Sequence, residues 1–336
     1  MTGSICNTTL TRVWLLMFAI GVANAGCAST FEYSPSAAGT TVLRKTQIRY
    51  NGSPRSYRIH IPSGYQPQNA MPLVIVVHGA FSTAAQIEKQ TGFSTLADRF
   101  GFVVSYPNGI GIFGLLQHWN AGHCCGKAAA DGLDDIGFID ETIADASRFL
   151  NIDPSRIYMV GFSNGGMFTH RYGAERAATL AAIAPLAGPP GGRADPDQPE
   201  WRVPPPQVPL PVIAFHGTDD DKVPYAGGAS GGDPDGRQYL SAHESAGFWA
   251  EQNACDVPPM KLKLREGQVE ITSWTECSDS VAVELYALQG WDHRWPGPYF
   301  TDPLEPQDPL QGFDAAEIIW RFFENYKRQP GKPLRR

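Results

Sequence analysis

The chain has 336 residues, enough for one large α/β domain or two small ones, and its 42% hydrophobic content suits an ordinary globular core. A net charge of −7 and a pI near 5.6 speak against a nucleic-acid partner, since the single basic run is the short end Lys332 to Arg336. With 35 Gly and 28 Pro, the chain is expected to be rich in turns and long loops.

The first 25 residues have the pattern of an export signal. Arg12 precedes the apolar run 13–20, and Ala23-Asn24-Ala25 supplies the small-x-small pattern of a signal-peptidase site. The run is shorter than the roughly 20 residues of a membrane span, and no later segment is long and apolar enough to span. The protein is therefore expected to be secreted, periplasmic or displayed at the cell surface. Cys27, just past that site, raises a lipid anchor as the one route to a membrane. Asn24 stands where a lipobox usually has Leu, which argues against it. Removing Cys6 with the signal leaves Cys27, Cys124, Cys125, Cys255 and Cys277, an odd five that argues for it. Both readings stay open. The remaining plan is a flexible segment over 26–42, one domain over 43–328 and a tail over 329–336.

Residues 46–50 and 55–61 read as two strands, with Asn51-Gly52 as the hairpin turn. The pattern then changes. Residues 73–77, Leu-Val-Ile-Val-Val, form a continuous apolar run typical of a strand buried on both faces. Runs at 102–106, 157–160, 180–187, 212–215 and 283–288 repeat it. Between them, Ile136, Ile139, Ile143, Ala146 and Leu150 share one helical face, 239–253 is a second helical stretch, and Asp314-x-x-Glu317 opens a third. Strands alternating with helices predict a mostly parallel sheet covered on both faces, and the leading antiparallel hairpin makes this the α/β-hydrolase pattern. The stretches 188–211 and 226–237 read as loops following strand ends, the side on which open α/β sheets bind ligands.

"GFSNGGMF" (161–168) contains Gly161-x-Ser163-x-Gly165 directly after a strand and before a Pro-free stretch. Strand, tight turn, helix is the context a nucleophile elbow requires. A serine is a weak nucleophile alone and needs a base oriented by an acid. In this fold the partners follow in the order Ser, acid, His, and only His243 and His293 lie after Ser163. His243 falls inside a helical stretch, so His293, just beyond the run 283–288, is the expected base. The acid should follow the run 212–215, where "HGTDDDKVPY" offers three adjacent aspartates. Asp220 is favoured with Asp219 as alternative, and spacing does not separate them. The two oxyanion donors are expected to be the N–H of Asn164, after the nucleophile, and that of Ala80 in the loop His78-Gly79-Ala80-Phe81. His78 and His216 are expected to support their loops.

In the same order as these motifs run "HGAFS", "GFVVSYPNG", "WNAGHCCGKA", "DDIGFI", "NIDPSRIYMVGFSNGGM", "HGTDDDKVPY" and "HRWPG". This series resembles the LpqC-like, polyhydroxybutyrate-depolymerase and feruloyl-esterase group of secreted serine esterases, over residues 43 to 300. The resemblance implies an α/β-hydrolase fold and ester hydrolysis through Ser163, Asp220 and His293. That group writes its acid motif His-Gly-Thr-Ala-Asp, which aligns its Asp with Asp220. Its His motif tends to read Gly-Gly-His-Thr-Trp-Pro-Gly, whereas this chain has Trp291-Asp292-His293-Arg294-Trp295. Trp291, Arg294 and Trp295 beside the base are therefore candidate substrate-binding residues, as is Phe81, while Trp119 either stacks on a substrate ring or plugs its loop. The chain also has no Thr-rich linker or appended polymer-binding module, which favours small or oligomeric esters such as feruloyl, acetyl or hydroxybutyrate esters.

No cofactor is expected, and no metal: His118, His123, Cys124 and Cys125 lie close together, but adjacent cysteines lack the separation usual in zinc sites. Cys255 and Cys277 are expected to pair. Cys124 and Cys125 either form a vicinal bridge or remain thiols. Two other functions share these residues in whole or part: a serine peptidase on the same fold, and a non-catalytic surface-binding protein derived from an esterase.

Overall fold

The computed structural model describes residues 37–112, 114–231, 236–298 and 310–328. Ten strands form the central sheet: β1 (Thr40–Tyr50), β2 (Ser53–Ile61), β3 (Met71–Val77), β4 (Val103–Pro107), β5 (Ile152–Phe162), β6 (Ala182–Leu186), β7 (Val212–Gly217), β8 (Met260–Leu264), β9 (Val269–Trp274) and β10 (Val283–Leu288). Their spatial order is β1-β2-β4-β3-β5-β6-β7-β10-β9-β8. From β4 through β10 every neighbour is parallel, while β1, β2 and the β9–β8 pair are antiparallel. This is the α/β-hydrolase fold, extended at one edge by β9 and β8.

The leading hairpin is longer than its sequence pattern suggested. It turns at Asn51 and Gly52, whose φ of 47° and 79° match the type I′ turn that joins twisted strands. Its first strand begins at Thr40, inside the segment expected to be flexible. The export signal, Cys27 and the tail 329–336 lie outside the described residues.

Alternation in β3 shows how the two layers form. Leu73, Ile75 and Val77 enter one core with α4 (Asp135–Phe149), which follows the short α3 (Gly126–Ala130), and with α5 (Asn164–Glu175) and α6 (Ala242–Gln252). Val74 and Val76 point the other way, to α1 (Ala84–Thr91), α2 (Phe93–Phe100) and α7 (Ala315–Phe323). A strand buried on both faces loses the polar alternation of a half-exposed one, hence the unbroken apolar run. Side-chain caps set the helix starts: Asp134 accepts from the Gly137 N–H, Asp314 from Ala316 and Glu317, and Ser241 and Glu244 form a reciprocal box.

The two stretches expected to be loops are partly ordered. Within and beside them, Gly191–Arg193, Trp201–Arg202, Gly228–Ala229 and Gln238–Tyr239 form a small antiparallel sheet. The strands β8 and β9 had no buried apolar run to reveal them. β8 reads Met-Lys-Leu-Lys-Leu and is exposed throughout, as befits an edge strand guarded by lysines.

The disulfide Cys255–Cys277 joins the end of α6 to the turn after β9, at a sequence separation of 22. Closing a loop of that length is worth roughly 3 kcal/mol through the unfolded chain. The double variant Cys255→Ser/Cys277→Ser is expected to lose about that stability in chemical denaturation. An unchanged midpoint would mean the bridge constrains nothing.

Candidate active site

Four strand ends meet at one point on the carboxyl edge of the sheet. At the end of β5 the chain turns sharply into α5, and Ser163 takes the turn with φ 56° and ψ −124°. A positive φ is strained for any residue with a Cβ, by roughly 1–3 kcal/mol. Neighbouring glycines make the turn sterically feasible. A Cβ on Gly165 would lie 2.5 Å from the carbonyl oxygens of Val77 and His78, and one on Gly161 would strike the Gly165 carbonyl. The turn is pinned by the Ser163 N–H donating to Leu186 O at 2.9 Å. Ser163 stands at the helix N-cap yet makes no side-chain cap bond, so its hydroxyl is left for another partner.

That partner is His293. Its Nε2 lies 2.8 Å from Ser163 Oγ and its Nδ1 lies 2.7 Å from Asp220 Oδ2. A carboxylate only accepts, so Nδ1 carries the proton and Nε2 is free to accept from the serine hydroxyl. The histidine arrives on the loop after β10 and the aspartate on the turn after β7. Two bonds stitch these segments together: Asp219 N–H to Trp291 O at 3.0 Å, and Gly290 N–H to Thr218 Oγ1 at 2.9 Å.

Of the two aspartates left open by spacing, the structure places Asp220 against His293 and leaves the Asp219 side chain exposed, beside Thr218. Asp220 is buried and surrounded by donors. Its Oδ1 accepts from the N–H groups of Lys222 and Val223 at 2.9 and 2.8 Å. Burial alone would raise its carboxyl pKa. Hydrogen bonds from His216 and His293, the charge on His293 and the Val223 N–H outweigh that and hold it well below the usual carboxylate range.

The loop after β3 passes directly beside the serine: a Cβ on Gly79 would lie 3.2 Å from Ser163 Cβ. His78 fixes this loop. Gly109 N–H donates to its Nε2 at 3.0 Å, so the proton sits on Nδ1 and is donated to Gly79 O at 2.8 Å. In a trans peptide the N–H opposes the carbonyl, and the Ala80 N–H is accordingly turned away from His78. Asn164, the first residue of α5, is held by its side chain: Oδ1 accepts from Trp119 N–H at 2.8 Å and Nδ2 donates to Trp119 O at 3.1 Å. Nothing in the motif itself pointed to this second task for Asn164.

Several expected substrate contacts need correction. Trp119 is fully buried, stacked on Phe168 and Phe138, with its indole N–H on His78 O. It plugs the loop that holds Asn164 and has no face for a substrate. Trp295 is buried between Phe93 and Phe162, and Trp291 is buried with its N–H on Arg294 O. The Arg294 guanidinium lies over the Trp291 ring and pairs with Asp292, so it is already engaged. These three shape the histidine loop from behind. Phe81 differs: it is 65% exposed, one residue beyond Ala80, with Ile112, Leu115 and Leu116 exposed on the adjoining hairpin. Cys124 and Cys125 are joined as a vicinal disulfide, the first of the two alternatives, with Cys124 Sγ facing the Asn164 amide.

Residues 55–194 match the family described as esterase PHB depolymerase. Over that stretch the chain is similar to that family. It is 31% identical over 249 residues to feruloyl esterase B of Piromyces equi, a match covering 71% of this chain and 42% of that protein. It is also 31% identical over 161 residues to poly(3-hydroxyalkanoate) depolymerase C of Paucimonas lemoignei, covering 46% of this chain and 37% of that one. The chain thus spans less than half the length of these two curated relatives. Among solved structures, the acetyl xylan esterase from Aspergillus awamori superposes with a TM-score of 0.57 at 16% identity, covering 84% of this chain and 99% of the other, a likeness of fold.

Three buried histidines around the site resist protonation. Burial lowers His78 to about 4, and burial lowers His123 and His170 to about 3. In the unfolded chain they take up protons near pH 6.5. A base with a depressed folded pKa contributes stability that is complete above the unfolded value and lost as pH falls towards the folded one. Denaturation at a series of pH values is therefore expected to show stability falling steadily from about pH 6.5 to about pH 4. A flat profile over that range would mean these rings are not held neutral.

Proposed function

We propose that the protein is an exported serine carboxylic-ester hydrolase working through an acyl-enzyme. The observation that carries this reading is the hydrogen-bonded line from Ser163 Oγ through His293 to Asp220. As Oγ attacks the acyl carbon, its proton passes to His293 Nε2, and Asp220 stabilises the imidazolium without taking the proton. The N–H groups of Ala80 and Asn164 receive the developing oxyanion, each such donor being worth roughly 2.7–4 kcal/mol in comparable sites. Protonated His293 then delivers its proton to the departing alcohol. Water, deprotonated by the same imidazole, attacks the acyl carbon and frees Ser163.

The substrates we assign are small or oligomeric esters with an apolar acyl or aryl portion: feruloyl, acetyl or hydroxybutyrate esters. The names of the relatives support that range, since they include a feruloyl esterase and a polyhydroxyalkanoate depolymerase. The exposed apolar side chains of Phe81, on the loop that passes the serine, and of Leu115 and Leu116, on the hairpin bonded to that loop, support an apolar partner. No charged residue occurs between Arg99 and Lys127, the stretch that builds this rim. Export is supported by the signal-like first 25 residues and by two disulfides, which persist in oxidising compartments. Cys27, just past the signal-like segment, stays the candidate for lipid attachment.

The deciding experiment is hydrolysis of p-nitrophenyl butyrate by the protein from Gly26 onward, beside a folded Ser163→Ala variant. The variant is expected to lose turnover by at least about 10⁴-fold. Equal rates would make Ser163 a turn residue and sink the mechanism. Comparison with the matching p-nitroanilide is expected to show ester cleavage far ahead of amide cleavage, whereas the reverse would identify a peptidase. Tight binding of an ester or glycan without turnover would identify a binding protein.

A further inference from the structure

His216 ends β7, four residues before the acid, and is buried. Its Nε2 lies 2.7 Å from Val223 O and 3.3 Å from Asp220 Oδ2. Both partners only accept, so Nε2 must carry the proton and share it between them. The turn from 217 to 223 is thereby tied at two places by one N–H: through the backbone where it leaves, and through the carboxylate at its centre. Oδ2, the oxygen facing His293, receives two donors, and Oδ1 receives two backbone N–H groups.

We infer that His216 is a positioning residue that holds the Asp220 carboxylate in the rotamer His293 requires. Resting on the esterase reading, the inference adds a fourth side chain to the line Ser163–His293–Asp220. The hold is steric and electrostatic together. The two backbone donors bind only Oδ1, which leaves the carboxylate able to pivot about that oxygen. His216, from the end of β7, places a donor on Oδ2 and removes this freedom. A neutral N–H on Oδ2 also draws off part of the negative charge that His293 feels. The ionisable groups around this contact are few. Asp220 faces His216 and His293. His216 meets the edge of the Tyr225 ring, whose hydroxyl is bonded to His243. The Lys222 ammonium turns away to Asp221, and the Asp292 carboxylate to Arg294.

The test uses three variants and two readouts on the full mature chain. His216→Phe and His216→Leu delete the donor, while His216→Gln keeps an N–H at the end of the side chain. One readout is kcat, KM and their pH profile on p-nitrophenyl butyrate. The other is the rate at which a fluorophosphonate labels Ser163, followed by intact mass. In that reaction Oγ bonds to phosphorus, fluoride leaves, and the serine proton passes to His293, with no demand on ester specificity. Phe and Leu are expected to lower both kcat and labelling roughly tenfold, about the worth of one hydrogen bond to a charged group, with KM little changed. Loss of the N–H concentrates charge on Oδ2 and favours protonated His293, moving the acidic limb of the pH profile upward. Gln is expected to recover most of the rate and restore the limb. Should a donor-deleting variant fail to fold by thermal melting, the other and the Gln variant carry the comparison. Rates and profile unchanged in Phe or Leu overturn the inference. So does an equal loss in Phe, Leu and Gln with the acidic limb unmoved, which would be the mark of packing alone. Wild-type labelling without ester turnover would overturn the esterase reading, and the labelling rates would still decide the role of His216.

Discussion

The backbone at Ser163 is the constraint around which the site is built. For Oγ to stand clear of the sheet, β5 must reverse into α5 within one residue, at a dihedral pair that a side-chain-bearing residue adopts at a cost. The surrounding structure overcomes that cost by contact. The Ser163 N–H bonds to the end of β6, and Gly165 lets the start of α5 press against the carbonyls of Val77 and His78. The same close approach brings the Gly79–Ala80 peptide beside the serine. One strained residue therefore sets the nucleophile, the helix start and the neighbouring loop at once, and movement of any would disturb the others.

On the far side of the serine the problem is electrostatic. A buried carboxylate is costly unless every lone pair finds a donor. Asp220 solves this with two backbone N–H groups on one oxygen and two imidazole N–H groups on the other. Because it is so fully bonded it stays ionised and fixed while remaining out of contact with solvent. His293 is partly open, its side chain 16% exposed, as a group that exchanges protons with substrate and water must be. The acid is closed in and the base is reachable, an asymmetry that follows from where each loop leaves the sheet.

Much of this was legible in the sequence, and what was legible had a local physical signature. Strands buried on both faces show as apolar runs, glycines mark the elbow, and chain order leaves two histidines, of which His243 lies in a helix and only His293 follows a strand of the central sheet. Elements without such a signature were missed. Strand β8 is exposed on both faces, and the short strands near Gly191 and Gln238 are too brief to carry a period. The choice between Asp219 and Asp220 turned on which residue the turn points inward, a backbone property that adjacent aspartates do not reveal. The contact from His216 arises because a strand end and the exit of the following turn come together, and a spacing of four on a strand-and-turn carries no general meaning.

The tryptophans are the most instructive case. Trp119, Trp291 and Trp295 lie beside site residues in sequence, and an indole near a catalytic group invites the role of substrate platform. The structure turns all three inward. A large ring is the efficient way to hold a long irregular loop, since it buries apolar area and still offers one N–H to a carbonyl the loop leaves unpaired. Trp119 does both, filling the space over Phe168 while bonding His78 O, and its backbone brackets the Asn164 side chain. Proximity in sequence to the chemistry thus marks these residues as supports. The side chains left facing outward are Phe81, on the loop that passes the serine, and the aliphatic ones of the hairpin bonded to that loop, while the acid behind His293 is ionised and fully bonded. The loop side is apolar and the acid side ionised, and that contrast is the physical feature that an ester with one apolar end would meet.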